Sequence, residues 1–394
     1  MKKIVLAYSG GLDTSYCAVN LSKAGFDVYA VSINTGGFTY EEIKTIKDNA
    51  YKMGVSTYKN IDATKTYYHK IIKYLIFGNV LKNNTYPLSV SAERIIQAME
   101  IANYAKSIDA KYVAHGSTGA GNDQVRFDMT FQTLAPDIEI ITPIRDQKLS
   151  RQEEIEYLKS CGVDLSWEKA KYSINKGLWG TSIGGVETLT SVNPLPEYAY
   201  PSQVEKTNIE KIKLTFLKGE LVAINNNKET SEKTIQTLNA MASKFGIGRD
   251  MHIGDTIVGI KGRVGFEAAA ALITIKAHHL LEKHTLTKWQ LQHKEHLSSF
   301  YGMHLHEGQY LDPAMRDIEV FLESSQTRVS GDVFVSLKPY HFTLDGVASK
   351  HDLMNAKFGC YGEMNTGWNA EEVKGFIKIL GNQNKIYQQV NSEL

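Results

Sequence analysis

Two glycine-containing stretches carry most of the side chains that could do chemistry. The first follows the apolar run 4–6 and reads Ala7-Tyr8-Ser9-Gly10-Gly11-Leu12-Asp13-Thr14-Ser15. Two adjacent glycines let backbone amides approach a ligand closely, and the hydroxyls of Ser9, Thr14 and Ser15 stand beside them where a helix is expected to begin. Amides and hydroxyls that point at one anion form a phosphate site. The sequence therefore predicts a phosphate-binding loop between a strand and a helix.

This loop differs from the two commonest nucleotide-binding motifs. A Walker A loop needs a lysine after its last glycine, and the dinucleotide fingerprint spreads three glycines over six positions. Residues 7–15 follow neither pattern. Taken alone, the stretch is equally compatible with an ordinary strand-to-helix turn that binds nothing.

The second stretch reads His115-Gly116-Ser117-Thr118-Gly119-Ala120-Gly121-Asn122-Asp123-Gln124-Val125-Arg126-Phe127. Its three closely spaced glycines let the main chain wrap around a ligand. Thr118, Asn122, Asp123 and Arg126 supply hydroxyl and amide groups, a carboxylate and a guanidinium fork that can hold a carboxylate. We expect all four on one binding loop, and a flexible surface loop is the weaker alternative.

The elements that must position these stretches alternate between short strands and helices up to about residue 165. Strands are predicted over 4–6, 28–33, 55–61, 111–114 and 138–142, and helices over 16–22, 39–53, 65–82, 91–108 and 150–161. Such alternation predicts an α/β domain with a doubly wound parallel sheet. Capping boxes at Thr39–Glu42 and Ser150–Glu153 mark two helix starts. Ligands collect at the carboxyl ends of parallel strands, where both stretches fall.

After about residue 170 the pattern changes to α+β. A hairpin is predicted from 209–217 and 221–225, further strands over 255–260 and 329–337, and helices over 231–245, 267–283, 286–300 and 370–380. We therefore expect a nucleotide-binding domain over 1–167, a second domain over 168–362 and a C-terminal oligomerisation helix over 363–394.

Composition excludes several classes of protein. The 44 basic and 43 acidic residues give a net charge of +1, which argues against a nucleic-acid or membrane-surface partner. Three dispersed cysteines form no CxxC pair, so a disulfide framework and a zinc knuckle are not expected. Seven histidines between 278 and 306 form no HExxH pattern, and no protein-held metal is predicted. No signal peptide and no 20-residue apolar span is recognised, so we expect a cytoplasmic protein.

The two stretches together resemble those of the argininosuccinate synthases, a family within the PP-loop ATP pyrophosphatases. The resemblance continues through Tyr172-Ser173-Ile174-Asn175, Leu178-Trp179, Gly246-Ile247-Gly248-Arg249 and Gly259-Ile260-Lys261. It implies a nucleotide-binding α/β domain, a synthetase domain and a C-terminal helix that helps to build a homotetramer. It also implies an AMP-forming ligation of citrulline and aspartate in arginine biosynthesis, through a citrullyl-AMP intermediate, with Mg²⁺ carried by the ATP.

The resemblance assigns roles to individual positions. ATP would contact residues 7–15 together with Ile33 and Gly116, and aspartate would contact Thr118, Asn122 and Asp123. The residues expected to bind citrulline are Tyr86, Ser91, Asn122, Arg126, Ser173, Ser182, Gly254 and Phe266. The catalytic assignments are Asp13, Asp123 and Arg126.

Several positions depart from the family pattern. The family has a glutamate that faces the amino-acid end of citrulline, and this chain has Gly254 at that position. A tyrosine of the family is replaced by Phe266. Where the family has a lysine in the second stretch this chain has Ala120, and where it has a glutamine after the second strand this chain has Gly37. Glu93 adds a carboxylate. Loss of a carboxylate removes a partner for the citrulline ammonium group, which would leave that charge poorly compensated.

Two explanations of the departures stay open. Asp250 or Asp255 could replace the missing carboxylate, with citrulline as the substrate. Alternatively, the substrate is an N-acylated citrulline, acetyl or succinyl, whose neutral nitrogen needs no carboxylate and whose acyl group fills the space that Gly254 opens.

Other functions are weaker alternatives. A tRNA-thiolating enzyme would need a cysteine pair and a basic face, and an asparagine synthetase would need an N-terminal cysteine, whereas Lys2 follows Met1. A non-catalytic ATP-binding regulator derived from the family also stays possible.

Overall fold

The structure is a computed structural model that describes residues 2–163, 171–363 and 365–392. The chain forms two compact units, Met1–Lys350 and His351–Leu394. The predicted domain boundary at residue 167 lies outside the described residues. No helix among the described residues is long and apolar enough to cross a membrane.

The N-terminal part of the first unit is built on a five-stranded sheet with strand order β3-β2-β1-β4-β5. Its strands are β1 (Lys2–Ala7), β2 (Phe26–Asn34), β3 (Thr57–Asp62), β4 (Tyr112–Ala114) and β5 (Glu139–Ile141). Every pair in this sheet is parallel. The α/β prediction is therefore confirmed, because the order reverses direction at β1 as in other doubly wound sheets.

Helices cover both faces of the parallel sheet. The helices described in this part are α1 (Leu12–Lys23), α2 (Tyr40–Lys52), α3 (Thr64–Tyr67), α4 (Lys73–Phe77), α5 (Ser89–Ser107), α6 (Asp123–Leu134), α7 (Pro143–Gln147) and α8 (Arg151–Ser160). Along β1, Ile4 and Leu6 belong to one buried cluster and Val5 and Ala7 to another. Period-two alternation places them on opposite faces, so both faces of the sheet are buried.

Local sequence signals confirm two helix starts. Thr39 and Glu42 bond reciprocally at the start of α2, and Ser150 and Glu153 do so at the start of α8. Each pair satisfies backbone donors that would otherwise have no partner at a helix N-terminus.

One helix prediction and one loop prediction were wrong in extent. The helix expected over 65–82 ends at Phe77, and its middle, Tyr68–Ile72, is a π-helix. The second glycine-containing stretch is not a loop throughout, because α6 begins at Asp123. Asp123 and Arg126 are therefore held by a helix and not by a flexible segment.

The rest of the first unit contains two antiparallel sheets, in the orders β10-β9-β8-β13-β14 and β11-β12-β7-β6. Their strands are β6 (Ser173–Gly177), β7 (Gly180–Gly184), β8 (Glu210–Leu217), β9 (Glu220–Ile224), β10 (Asn227–Lys228), β11 (Arg249–Asp255), β12 (Lys261–Glu267), β13 (Gly331–Lys338) and β14 (His341–Ala348). The associated helices are α9 (Ser231–Ala242), α10 (Ala269–Thr285), α11 (Lys288–His306) and α12 (Pro313–Ser325). The predicted hairpin corresponds to β8 and β9.

The strand predicted over 255–260 was wrong. This segment is the turn between β11 and β12, and it is closed by Thr256, whose hydroxyl donates to the carbonyl of Ile260 at 2.7 Å and accepts from the Ile260 amide at 3.0 Å. A side chain that bonds the backbone locally competes with strand pairing. Of the apolar residues that suggested a strand, Val258 and Ile260 are exposed in the turn and Ile257 is half-buried.

The second unit contains α13 (Ala370–Leu380) and α14 (Asn382–Val390). Asn369 and Glu372 form a capping box at the start of α13, and neither helix has a buried residue. The exposed apolar side chains of these helices are those of Phe376, Ile377, Ile379, Leu380, Ile386, Tyr387 and Val390.

A buried polar network holds α11 against α10. Glu282 is fully buried and accepts from Lys294 at 2.9 Å, from Asn79 at 2.6 Å and from Gln326 at 2.9 Å. Lys294 also donates to the carbonyl of Phe77 at 2.6 Å. A buried charge of this kind is stable only while its partners remain, so the network fixes the position of α11.

We predict that Lys294→Met lowers the free energy of unfolding by about 3–5 kcal/mol, because it leaves the Glu282 carboxylate buried without its cation. Urea unfolding followed by circular dichroism measures the change. The control is Lys111→Met, which removes an exposed ion pair with Asp109 and should cost less than about 1 kcal/mol. Equal losses in the two variants would contradict the prediction.

Candidate active site

The first glycine-containing loop connects β1 to α1. Gly10 has φ +78°, in the left-handed region that glycine adopts without strain. The Gly11 amide donates to the Ser9 hydroxyl at 3.4 Å, and the hydroxyls of Ser9 and Thr14 lie 3.3 Å apart. Ser9 and Gly11 are exposed. The loop therefore presents a backbone amide and two hydroxyl groups near the N-terminus of α1, which is a suitable arrangement for an anion.

Not every residue predicted to contact ATP has an accessible side chain. Tyr8, Leu12 and Ser15 are buried, and so are Ala7 and Ile33 at the ends of β1 and β2. These five can reach a ligand at the surface only through their backbone. The exposed or half-buried members of the loop are Ser9, Gly10, Gly11, Asp13 and Thr14.

The second stretch lies directly against the first. β1 and β4 are neighbours, with Leu6 opposite Ala114. A Cβ atom on Gly116 would lie 3.1 Å from the Asp13 backbone carbon and 3.1 Å from its Cβ. The absence of a side chain at Gly116 thus permits the close approach of the two loops, as expected from parallel neighbouring strands.

Two carboxyl groups stand at this junction. Burial raises the pKa of Asp13, and burial together with the charge of Asp13 raises the pKa of Glu154 to about 8. Glu154 therefore holds a proton at neutral pH. Among the described residues, no group of three or more histidine, cysteine, aspartate or glutamate side chains is arranged to hold a metal ion.

The carboxylate of Asp123 lies between two arginines. Arg94 donates from Nε to Oδ2 of Asp123 at 2.9 Å, and Arg126 donates from Nη1 to Oδ1 at 2.9 Å. Burial acts to raise the pKa of Asp123, but the two guanidinium groups outweigh it and hold that pKa below its usual value. Asp123 is therefore ionised, and it couples α5 to α6.

Arg126 directs its donors at the protein. Nε and Nη2 donate to the His306 carbonyl at 3.0 and 2.9 Å, and Nη2 also donates to Ser91 Oγ at 3.0 Å. With Nη1 bonded to Asp123, the fork predicted for a substrate carboxylate is occupied by protein acceptors. His306 is thus the neighbour that sets the orientation of the guanidinium.

The sheet β11-β12-β7-β6 brings the distant citrulline positions together. Ser182 pairs with Asn175 on one side and with Phe266 on the other. Ser173 is two residues from Asn175, and Gly254 is four residues from Asp250, which is opposite Phe266. Directly opposed residues, and residues two or four apart on a strand, share a face. Ser173, Ser182, Gly254 and Phe266 therefore lie on one face of this sheet.

Asn175 connects this face to the aspartate position. Arg94 donates from Nη2 to Asn175 Oδ1 at 2.7 Å while it holds Asp123. The side chain of Asn122 accepts from the amide of Ile257, in the turn after β11, at 2.8 Å. Thr118 is exposed and precedes Asn122 on the same stretch of chain. The sheet face and the N-terminus of α6 form one site.

The space beside Gly254 is filled. A Cβ atom there would lie 2.8 Å from Nε2 of His252 and 3.3 Å from Nδ2 of Asn83. The His252 ring stacks on Tyr86 at 5.1 Å, and Tyr86 also packs on the fully buried ring of Phe266 at 5.4 Å. The expected opening for an acyl group beside Gly254 is therefore absent, because an imidazole occupies it.

Two other departures have a steric cause. A Cβ atom on Gly37 would lie 2.0 Å from the carbonyl oxygen of Lys176, so the loop after β2 packs directly on β6. A Cβ atom on Gly177 would lie 2.4 Å from Oε2 of Glu93. The added carboxylate of Glu93 thus occupies the space that a side chain on β6 would need.

Glu93 is itself buried beside Arg94. Its Oε1 accepts from Gln97 at 2.7 Å and from Arg94 at 3.4 Å. Burial raises the pKa of Glu93 to about 7, although the charge of Arg94 acts in the opposite direction. The protonation state of a group in contact with the Asp123 counter-ion therefore changes near neutral pH.

Sequence reasoning missed several residues of this site. Asn175 lies in a recognised segment and Arg94 follows the departure at Glu93, but neither has a predicted role. His306 is one of the histidines for which no metal site is predicted, and His252 has no distinguishing pattern around it. Nothing in the sequence spacing relates His306 to Arg126, which lies 180 positions away. Only an alignment of relatives or the fold itself could have revealed these residues.

Comparison of the sequence with models of known protein families shows to which family the chain belongs. Residues 3–164 match the family model "Arginosuccinate synthase N-terminal HUP domain", and residues 172–387 match "Arginosuccinate synthase C-terminal domain". The chain belongs to the argininosuccinate synthase family. The family resemblance inferred from the two glycine-containing stretches is thereby confirmed.

Similar argininosuccinate synthases cover nearly the whole chain. That of Methanocaldococcus jannaschii is 37% identical over 98% of this chain and 97% of its own length. That of Dictyoglomus thermophilum is 36% identical over 98% and 97%, and that of Xanthomonas campestris is 34% identical over 99% of both chains. The similarity thus includes both loops and the antiparallel sheet face.

We predict that Glu93→Gln removes a pH dependence of stability. Between about pH 4.5 and 7 the folded protein keeps the Glu93 proton, whereas the unfolded chain has lost it. The free energy of unfolding of the wild type therefore falls as the pH rises through this window, and it levels off above it. Relative to Glu93→Gln, the fall should total a few kcal/mol, at about 1.4 kcal/mol per pKa unit.

Urea unfolding of both proteins at pH 5, 6, 7 and 8 measures this difference. A glutamine side chain is close in shape to a protonated glutamate, so the variant is expected to come closest to the wild type at pH 5 and to exceed it increasingly up to about pH 7. Parallel curves over the whole range would show that Glu93 titrates normally.

Proposed function

We propose that this protein ligates citrulline to aspartate at the expense of ATP, the reaction of the argininosuccinate synthase family, which yields argininosuccinate, AMP and pyrophosphate. It acts as a ligase of arginine biosynthesis. The observation that carries the proposal is that two sites lie next to each other. Gly116 packs closely against Asp13. A few residues further along the chain, Asp123 bonds to Arg94 and Arg126. An anion loop and a charged amino-acid site are thereby adjacent, as a reaction between ATP and two amino acids requires.

The first step needs binding and charge stabilisation more than a protein nucleophile. The ureido oxygen of citrulline attacks the α-phosphorus and expels pyrophosphate, giving citrullyl-AMP. The loop from Ser9 to Thr14 offers the amide and hydroxyl groups for the phosphates, at a helix N-terminus where negative charge is favoured. ATP would bring Mg²⁺ held mainly by its phosphate oxygens, and Asp13 would be the carboxylate of this loop available to it.

In the second step the amine of aspartate displaces AMP. Asp123 is ionised and partly accessible, with 34% of its side chain exposed, so it can accept from the aspartate ammonium group. Thr118 and Asn122 offer donors for the carboxylates. Arg94 and Arg126 keep the Asp123 carboxylate charged and oriented.

Citrulline is assigned to the face formed by Ser173, Ser182, Phe266 and Gly254, with Tyr86, Ser91 and Arg126 at its amino-acid end. An N-acylated citrulline is the second candidate. The filled space beside Gly254 favours free citrulline, because His252 and Asn83 occupy the place expected for the acyl group.

The organisation of the whole protein is proposed on similar grounds. Exposed apolar side chains on α13 and α14 support oligomerisation through the C-terminal segment over 363–394, in a homotetramer. The domain division at 1–167 and 168–362 and a cytoplasmic location belong to the same proposal.

We predict that Asp123→Asn lowers kcat/KM for aspartate by about 30-fold or more, because removal of one partner of a hydrogen-bonded charge cluster typically costs about 2–5 kcal/mol. Pyrophosphate release with ATP, citrulline and varied aspartate measures the effect. Asp109→Asn is the matched control, since Asp109 is exposed and pairs with the exposed Lys111 at 2.8 Å. Unchanged turnover of a folded Asp123→Asn variant would refute the assignment.

We predict that free citrulline is preferred over N-acetyl- and N-succinyl-citrulline by at least about 10-fold in kcat/KM, a difference of about 1.4 kcal/mol. The physical reason is the His252 ring, which an acyl group would have to displace. The measurement is pyrophosphate release with each substrate at saturating ATP and aspartate. A preference for either acyl compound would reverse the choice between the two candidates, and absence of release with all three would favour a non-catalytic regulator.

A further inference from the structure

The amino-acid end of the proposed citrulline site contains a buried polar atom without a partner. His306 lies at the C-terminal end of α11 with only 6% of its surface exposed, and its Nε2 has no hydrogen-bond partner among the described residues. Buried polar groups are almost always satisfied, so an exception inside a binding site points to a ligand.

The neighbours of His306 determine which nitrogen carries its proton. Nδ1 lies 3.3 Å from Arg126 Nη2 and 3.1 Å from Ser91 Oγ. A proton on Nδ1 would point at the cationic guanidinium, whereas a lone pair there can accept from the Ser91 hydroxyl, so Nδ1 is the acceptor. In a neutral ring the proton is then on Nε2, which makes the unpartnered atom a donor.

The ring is neutral because of its surroundings. Burial, followed by the charges of Arg126 and Lys82, lowers the pKa of His306 to about 3, with a small contribution from His252 in the same direction. The backbone of Asp255 acts in the opposite direction, and Nε2 has no hydrogen-bond partner among the described residues. Because the Nε2 donor lies near the charges of Arg126 and Lys82, it is suited to bind a carboxylate.

The donors of Arg126 strengthen this assignment. Because its Nε, Nη1 and Nη2 already bond to Asp123, Ser91 and the His306 carbonyl, the guanidinium has no free fork to offer. Apart from one proton on Nη1, the Nε2 proton of His306 is the donor left unused beside this guanidinium.

A second imidazole lies on the adjacent strand. His252 is buried on β11, covers Gly254 and stacks on Tyr86, and its ring nitrogens make no hydrogen bond to the described residues. Burial and then the charge of Lys82 lower the pKa of His252, against the opposing charge of Asp250. A neutral imidazole keeps one nitrogen lone pair, which can accept from an amine.

Resting on the proposed function, which places the amino-acid end of citrulline here, we propose that His306 and His252 recognise that end. His306 donates from Nε2 to the α-carboxylate, and His252 accepts from the α-amine in place of a protein carboxylate. Gly254 serves this arrangement, because any Cβ atom at that position would contact the His252 ring at 2.8 Å.

The test compares three ureido substrates: citrulline, 5-ureidopentanoate, which lacks the amine, and N-carbamoylputrescine, which lacks the carboxylate. Initial rates of aspartate-dependent pyrophosphate release give kcat and KM for each. His306→Asn keeps an acceptor near Nδ1 and loses the Nε2 donor, and His306→Gln returns an amide donor near Nε2. His252→Phe keeps the stacking on Tyr86 and loses the acceptor.

We expect His306→Asn to raise KM for citrulline and for 5-ureidopentanoate about 10-fold or more, and KM for N-carbamoylputrescine less than about twofold. We expect His252→Phe to raise KM for citrulline and for N-carbamoylputrescine by a similar factor, but not KM for 5-ureidopentanoate. KM for ATP and for aspartate should stay unchanged, and His306→Gln should recover most of the loss. His296→Asn, an exposed histidine of the same helix, is the matched control.

Equal losses for all three substrates, or a change of less than about twofold for citrulline, would overturn the inference. Circular dichroism establishes that each variant is folded, and if His306→Asn is not, the His252→Phe series decides alone. Wild-type protein that releases no pyrophosphate from citrulline would contradict the proposed function itself, which separates the two failures.

Discussion

The site depends on one carboxylate held between two buried guanidinium groups. Without Asp123 the charges of Arg94 and Arg126 would be costly to bury, and Asp123 could not keep its depressed pKa without them. Because Arg94 also bonds Asn175, this cluster joins α5 and α6 of the parallel-sheet part to β6 of an antiparallel sheet. The interaction that orients the aspartate position therefore also fixes the substrate face opposite it.

Two kinds of sheet contribute different parts of the reaction. The parallel sheet brings two loops to one edge, where Gly116 permits contact with Asp13 and so places the phosphate site beside the amino-acid site. The antiparallel sheet presents Ser173, Ser182 and Phe266 on one face because its strands pair in register. Catalysis of the proposed kind requires positioning of three substrates, and rigid strands and helix ends are suited to that.

Three of the departures from the family pattern, at Gly254, Gly37 and Glu93, follow a common physical rule. Gly254, Gly37 and Gly177, the neighbour of Glu93, each lie where another group comes too close for a Cβ atom. That group is the His252 ring in the first case, a backbone carbonyl in the second and the Glu93 carboxylate in the third. A glycine that removes a functional group from one position thus admits another group from elsewhere in the chain, so chemistry lost at one residue is not necessarily lost from the site.

The sequence by itself determined the parallel-sheet architecture, the capped helices and the two loops, because alternation, capping boxes and glycine clusters are local signals. It did not determine that α6 begins at Asp123, since the preceding glycines suggested a longer loop. Nor did it determine the surroundings of Arg126. The packing of α11 places His306, which is 180 residues away in the sequence, against this side chain. Contacts between distant segments depend on how elements pack, and only the tertiary structure decides which side chain fills the space beside Gly254.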